Sequence, residues 1–301
     1  MNKQKQFKPS KVWEKINNNL LFNYNNINYN IFREVNSVNS KITTWNPYES
    51  SLRYFKSLLY NIISTSTKDF FKIYNKIQNT ELGNPISIKY KGNNFNLDYI
   101  LSTNEILFLK DNMSGITTIC EIGGGFGRTP HAMLYNFDNI EKYYIIDLPN
   151  CLTLAKNYLY LVLPSNLYQK CIFISTEDLD ITNFPQIDLF INIDSFAEMD
   201  NEVIFNYLKL ISTYGKFFYS KNTIGKYSPK DMGLLNVNNE DIDNIFKTGL
   251  CVDSLDVFNS DDLYFNLEKY IQTYKPNAHS TIKKSKLSSP FYYYGDVLYN
   301  V

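Results

Sequence analysis

A chain of 301 residues holds one large domain or two smaller ones. Its 30 basic and 30 acidic residues cancel, so it lacks the basic excess that marks nucleic-acid binding. Neither an apolar segment behind Met1 nor a run of about 18 apolar residues occurs, so no membrane span and a cytoplasmic location are expected.

Residues 11–31 are Asn-rich and give no assignment. From Ser51 to Ser64 the apolar positions Leu52, Phe55, Leu58, Leu59, Ile62 and Ile63 form a helical stripe, continued over Asp69–Ile77 by Phe70, Ile73, Tyr74 and Ile77. Gly83-Asn-Pro is a turn. Ile86, Ile88 and Tyr90 then alternate with polar residues, which predicts a hairpin turning at Lys91-Gly-Asn-Asn and returning through Phe95 and Leu97. Ser102 and Glu105 have capping-box spacing for a following helix. Residues 1–110 thus read as a mostly helical cap with a small hairpin, and 111–301 as the nucleotide-binding domain.

From Gly115 the rhythm is strand, helix, strand. Strands are predicted at 116–122, 142–147, 171–174, 187–193 and 216–219, with a last aromatic strand at 291–294 resuming at 296–299. Thr129 and Pro130 read as N-cap and first residue of a helix, and Pro149 opens another that reaches about Leu161. Further helices are expected near 201–211 and 261–272. Such alternation specifies an α/β fold, a doubly wound, mainly parallel, Rossmann-like sheet with ligands at the carboxyl ends of its strands. Lys283-Lys284-Ser285-Lys286 reads as a solvated loop. The cysteines, Cys120, Cys151, Cys171 and Cys251, are irregularly spaced, which argues against a disulfide framework or a metal site. Asp188, Asp194, Glu198 and Asp200 are acidic enough for a divalent ion, but Asp188 is mid-strand and Asp200 heads a helix, so none is expected.

The most informative stretch is Glu121-Ile-Gly123-Gly124-Gly125-Phe-Gly127, directly after the first of these strands. Glycines there let the backbone adopt positive φ and approach a ligand closely. The next strand ends in Asp147-Leu148-Pro, placing a carboxylate where a ribose diol would donate to it. The dinucleotide frame G-x-G-x-x-G fails, since its third glycine falls at Arg128 or Pro130. A nicotinamide-linked or nucleotide-sugar oxidoreductase is therefore disfavoured. The other alternative is a non-catalytic binding subunit that keeps the fold.

The spacing of Glu121, Gly123, Gly125 and Gly127 resembles motif I of the class I S-adenosylmethionine-dependent methyltransferases. With Tyr-Ile-Ile-Asp147-Leu-Pro, Asn192-Ile-Asp-Ser-Phe-Ala-Glu-Met199 and Phe218-Tyr-Ser-Lys-Asn222, the chain is similar to bacterial sugar O-methyltransferases over about residues 80–280. The resemblance implies S-adenosylmethionine as cofactor, a small-molecule or glycan sugar as acceptor, and a homo-oligomer as an open option. Plant-type O-methyltransferases, which share the Asp-Leu-Pro element, place a His-Asp pair after the fourth strand. This chain has Ala197-Glu198 there, so that histidine base does not carry over.

The expected cofactor residues are Glu121, Gly123, Gly124, Gly125, Gly127, Asp147 and Leu148, with Glu177 and Asp178 toward the adenine amino group or else plain turn acids. Asp194 and Glu198, four residues apart after the fourth strand, are the expected acid–base pair, with a helix cap as the plain reading of Asp194. His279, in a loop expected to close over the site, is the third candidate. His131 is expected on a helix surface, the alternative being a place in the cofactor pocket.

Overall fold

A computed structural model describes residues 10, 11, 50–227 and 246–301; nearly all of the Asn-rich 11–31 stretch lies outside them. The chain divides into two compact units, Met1–Ser64 and Thr65–Val301. In the first, α1 (Ser51–Thr65) begins where the apolar stripe does, with Leu59 and Ile63 buried.

The second unit opens with α2 (Lys68–Tyr74), where Thr67 Oγ1 accepts from Phe70 N at 3.2 Å. The hairpin of β1 (Ser87–Tyr90) and β2 (Asn93–Asn96) follows, turning on Lys91 at φ +47° and Gly92 at +90°. Two consecutive positive φ angles make the two-residue turn that matches strand twist, tighter than the expected four-residue one. Then α3 (Leu97–Leu109) starts at Asn96, whose Oδ1 accepts from Tyr99 N at 3.2 Å. Ser102 and Glu105 are therefore not a capping box. They lie mid-helix and are buried, because both bond to a cation of the main sheet's helices.

The strands β3 (Thr118–Ile122), β4 (Lys142–Asp147), β5 (Cys171–Ser175), β6 (Ile187–Ile193), β7 (Gly215–Thr223), β8 (Thr281–Leu287) and β9 (Tyr294–Asn300) form one sheet in the order β5-β4-β3-β6-β7-β9-β8. The five from β5 to β7 pair in parallel; β9 is antiparallel to both its neighbours. The connecting helices are α4 (Arg128–Asn136), α5 (Pro149–Val162), α6 (Ser165–Tyr168) and α7 (Asn201–Tyr214), with α8 (Ser260–Thr273) before β8. This is a doubly wound α/β arrangement, a mainly parallel sheet with helices between its strands. None of the described helices is long and apolar enough to cross a membrane.

Strand alternation divides the central residues between the two faces. Cys120, Ile122, Tyr144, Ile146, Phe190 and Phe218 pack with α7 and α8 residues such as Ile204, Ile211, Leu267 and Tyr270. Glu121, Tyr143 and Lys221 point the other way, toward α3 and α4.

Three sequence expectations change here. The Lys283–Lys286 run is not a loop but the edge strand β8, whose lysines discourage pairing with another chain. Their stems lie along aromatic rings, with Lys283 Nζ 5.0 Å from the Phe217 centroid and Lys284 Nζ 4.8 Å from that of Phe108. β7 runs on to Thr223 because β6 and β9 pair with it on both sides. Thr129 does not cap α4, whose N-cap is Gly127 at φ +93°.

Candidate functional site

Two adjoining cavities open at the carboxyl ends of the parallel strands. The larger, about 700 Å³, is lined by Asp147, Leu148 and Cys151 beyond β4, Thr176, Leu179 and Ile181 beyond β5, and Glu198, Met199 and Tyr207 beyond β6. The smaller, about 310 Å³, lies between the glycine loop, Leu101 and Glu105 of α3, Arg128 and Thr129 of α4, Lys221, and Phe291, Tyr293 and Tyr294 ahead of or opening β9. Gly123, Gly125, Ile193 and Asp194 line both.

The glycines of the loop have different reasons to be there. A Cβ on Gly123 would sit 2.2 Å from Ser195 Oγ, one on Gly124 2.6 Å from Ile145 Cγ2, and one on Gly127 2.9 Å from the Leu159 side chain. Those three let the loop press onto the turn after β6, onto β4 and onto α5. Gly125, at φ +55°, faces open space, so it is the glycine that leaves the cavities clear. Asp147 fixes this turn: Oδ2 accepts from Gly125 N and Oδ1 from Leu148 N, both at 2.7 Å.

A buried polar network sets the β6 loop. Asn192 Nδ2 donates to Ile122 O at 3.0 Å and to Ser195 Oγ at 2.6 Å. Asn222 Nδ2 donates to Asn192 Oδ1 at 2.8 Å, while the Tyr270 hydroxyl meets Ser220 Oγ at 2.6 Å and accepts from Asn222 N at 3.0 Å. The motifs Asn192–Met199 and Phe218–Asn222 are thus one structure, tying three strand tips to α8. Above it Asp194 adopts φ +67°, uncommon for a residue with a side chain. Its amide donates to Lys221 O at 2.8 Å. Asp194 occupies an N-cap position without a side-chain capping bond, so the plain helix-cap reading does not apply. The residue as a whole is exposed, but its carboxyl lines both cavities. Burial there raises its pKa, against a hydrogen bond from Tyr294 and the charges of Lys221, Arg128 and Lys226. Glu198, lining the larger cavity, is raised by burial and by Asp194.

On the opposite face, Glu105 is clamped between two cations. Arg128 reaches it twice, Nη1 to Oε2 at 3.0 Å and Nη2 to Oε1 at 3.2 Å, and Lys221 Nζ reaches Oε1 at 2.7 Å. Burial alone would raise the Glu105 carboxyl, but the charges of Arg128 and Lys221 outweigh it and hold the pKa at about 2. Glu121, equally buried, has no cation bonded to it among the described residues. Tyr143 Oη donates to its Oε2 at 3.0 Å and the Thr129 hydroxyl bonds to it, yet burial still pushes it up to about 7.

Glu121, Gly123, Gly124, Gly125, Asp147, Leu148, Asp194 and Glu198 are thus brought together around the crevice. Gly127 supports it from behind. Glu177 and Asp178 are exposed and the cavity wall after β5 is instead Thr176, Leu179 and Ile181. His279 precedes β8, and Thr281 is level with Asn300 and Phe217, at the amino end of β7. It therefore lies at the far end of the sheet, and the loop beside the site is 288–293. His131 is fully buried, not on a helix surface, facing the Tyr99 hydroxyl through Nδ1, and burial lowers its pKa to about 4. The sequence reading missed Glu105, Arg128, Lys221 and Tyr294. The buried parity of Lys221 after Tyr219 was a signal for one of them; nothing local marks the others.

Neither protein-family models nor curated proteins give a match to the chain. Solved structures give partial likenesses. The methyltransferase domain of a bacterial CtHen1 is 11% identical over 67% of this chain and 97% of its own, with a TM-score of 0.45. Mitomycin 7-O-methyltransferase MmcR is 12% identical over 85% of this chain and 70% of its own, at 0.41. The N-terminal domain of EvdMO1 in the presence of SAH and D-fucose is 13% identical over 76% and 93%, at 0.40. Likenesses this distant bear on no residue of the site.

Proposed function

We propose that the chain is an S-adenosylmethionine-dependent O-methyltransferase acting on a hydroxyl of a sugar, in glycan biosynthesis. The observation that carries the reading is the Asp147–Gly125 clamp at the mouth of the larger cavity. It presents a carboxylate with lone pairs to spare for a ribose diol, beside the one loop glycine whose Cβ direction is open. When bound, S-adenosylmethionine supplies an electrophilic methyl group on a sulfonium. Glu121, Gly125, Asp147 and Leu148 are the residues that would hold it.

The protein's own part in the chemistry falls to Asp194. A sugar hydroxyl is a weak nucleophile until its proton leaves, and Asp194 lines both cavities as a base with a raised pKa. The sugar rests on the sequence resemblance, with Phe291, Tyr293 and Tyr294 offering apolar faces along the smaller cavity.

Calorimetric titration with S-adenosylmethionine, S-adenosylhomocysteine and NAD tests the reading. Binding of the first two without the third is expected. Binding of NAD alone would favour the oxidoreductase, and binding of none would leave a subunit that keeps the fold without the cofactor. Methyl transfer from radiolabelled S-adenosylmethionine to a panel of hexoses, deoxyhexoses and phenols then tests the acceptor.

A further inference from the structure

The Asp194 carboxyl meets side chains from several elements. Lys221 of β7, Arg128 of α4 and Lys226 beyond β7 act on it through their charge. Their hydrogen bonds go elsewhere: Lys221 and Arg128 to Glu105, and Lys226 Nζ to Ala197 O at 3.0 Å. Glu198 on the same turn and Tyr293 ahead of β9 feel the Asp194 charge in return. Tyr294, which opens β9, does something different. Its hydroxyl hydrogen-bonds the carboxylate itself.

Strand register puts Tyr294 there. It is level with Thr223, as Asp296 is with Lys221, and residues opposite each other in an antiparallel pair share a face. Lys221 lines the smaller cavity, and Tyr294 lines it too. Gly295 between Tyr294 and Asp296 turns the other way, where a Cβ would lie 2.8 Å from Tyr270 Cδ1. The backbone around Tyr294 is pinned: its amide donates to Phe291 O at 3.1 Å and its carbonyl accepts from Ser288 N at 2.8 Å. Ser289 O in turn accepts from Asn104 Nδ2 of α3 at 3.1 Å. Tyr293 is engaged elsewhere, its ring edge-on to Tyr227 with centroids 5.5 Å apart. Burial and the Asp194 charge raise the Tyr294 hydroxyl above its ordinary range, so it keeps its proton and can only donate to the carboxylate. One such donor favours the ionised acid and leaves its other lone pairs for an acceptor hydroxyl.

We propose that Tyr294 is the positioning residue of Asp194, its hydroxyl holding the carboxylate at the junction of the two cavities, ready to take a proton from the acceptor. The inference rests on the reading of Asp194 as the base. It gives the segment leading into β9 a part in the chemistry beyond the apolar faces it offers. It also explains how an acid in a site whose burial favours the neutral form stays available as a base.

The test is an NMR titration of the full chain carrying isotope-labelled aspartate carboxyl carbons, with the Asp194 resonance assigned by its absence from Asp194→Asn. Tyr294→Phe keeps the ring and removes the donor to the ionised form, so the Asp194 midpoint should move up by about 0.5–1 pH unit. An unmoved or lowered midpoint overturns the inference. Methyl transfer from radiolabelled S-adenosylmethionine to the panel of hexoses, deoxyhexoses and phenols should fall by about ten-fold in kcat, with the acid limb moved up to match and S-adenosylhomocysteine affinity unchanged. In an Asp194→Asn background Tyr294→Phe should cost nothing further, and an added loss there would show that Tyr294 does not act through Asp194. Should Tyr294→Phe fail to fold, the parent chain with labelled tyrosine hydroxyl-bearing carbons decides. A resonance other than that of Tyr293, which Tyr293→Phe identifies, should inflect at the Asp194 midpoint and lose the inflection in Asp194→Asn; its absence overturns the contact. If turnover survives in Asp194→Asn, the base reading falls and the inference with it, even where the midpoint has moved.

Discussion

Asp147 and Gly125 are joined by a 2.7 Å hydrogen bond from the glycine's amide to the carboxylate Oδ2. One contact links the tip of β4 to the turn after β3, so the group proposed to read the ribose also shapes the loop beneath it. Asp147→Ala removes both roles. S-adenosylhomocysteine binding should weaken by roughly 1.5–3 kcal/mol, the range for hydrogen bonds to a charged group. The fold should survive, because Asp147 is only half-buried and the Gly125 amide is open to water. Undiminished affinity in a folded variant would remove Asp147 from the cofactor site.

The loop glycines should separate experimentally. Gly125→Val puts a branched side chain at φ +55° into open space, at the place both cavities share. Strain of about 1–3 kcal/mol is expected, together with loss of cofactor binding. Gly123→Ala instead drives a methyl to 2.2 Å from Ser195 Oγ and disrupts the Asn192–Ser195–Ile122 bonds. That variant should lose more thermal stability than Gly125→Val. The reverse order of melting temperatures would contradict the division of labour drawn from the geometry.

The order of elements from β3 to β7 was legible because each strand is an apolar run ending in a turn or a carboxylate, and each helix has a start signal such as Pro149. What escaped was set by tertiary contact. β8 reads as polar because it is an edge strand whose lysines lie along Phe108 and Phe217, side chains remote in sequence. With β8 unread, His279 was assigned to the wrong end of the sheet. Glu105 fits a capping box by spacing, and only its pairing with Arg128 and Lys221, 23 and 116 residues away, explains why it is buried. The cofactor half of the site is local in sequence and could be read; the charged half is assembled from α3, α4 and β7 and could not.

Two buried glutamates should give opposite pH dependences of stability. Glu105 is held at about 2 against an ordinary 4.5, so its contribution is fully present above pH 4.5 and is lost as pH falls toward 2. That difference corresponds to roughly 3 kcal/mol. Glu121 is raised from 4.5 to about 7, so the folded state keeps a proton that the unfolded chain gives up. Stability then falls as pH rises from 4.5 through 7, again by roughly 3 kcal/mol. Glu121→Gln keeps an acceptor for Tyr143 and removes the ionisation. It should raise the melting temperature at pH 8 and leave it unchanged at pH 4. A lower melting temperature at pH 8 would show that Glu121 is stably ionised in the fold.

Asp194 brings the site's strain, charge and position to one residue. Its φ of +67° is sustained by the Asn192–Asn222 network below and by its amide's bond to Lys221 O. A side chain so held, lining both cavities with a pKa raised by burial, is suited to take a proton from a hydroxyl. Asp194→Asn keeps the shape, and asparagine tolerates the left-handed conformation as well as aspartate does. Turnover should fall by about 10²–10⁴-fold, with S-adenosylhomocysteine affinity little changed. In the parent enzyme, turnover should rise with pH on the acid side of the profile, as Asp194 loses its proton, and that limb should disappear in the variant. Glu198→Gln should leave that limb in place, since Glu198 is raised by the charge of an Asp194 already ionised and is not itself a cause of the Asp194 shift. Full turnover in Asp194→Asn would place the base elsewhere, and loss of cofactor binding would place Asp194 in the cofactor site.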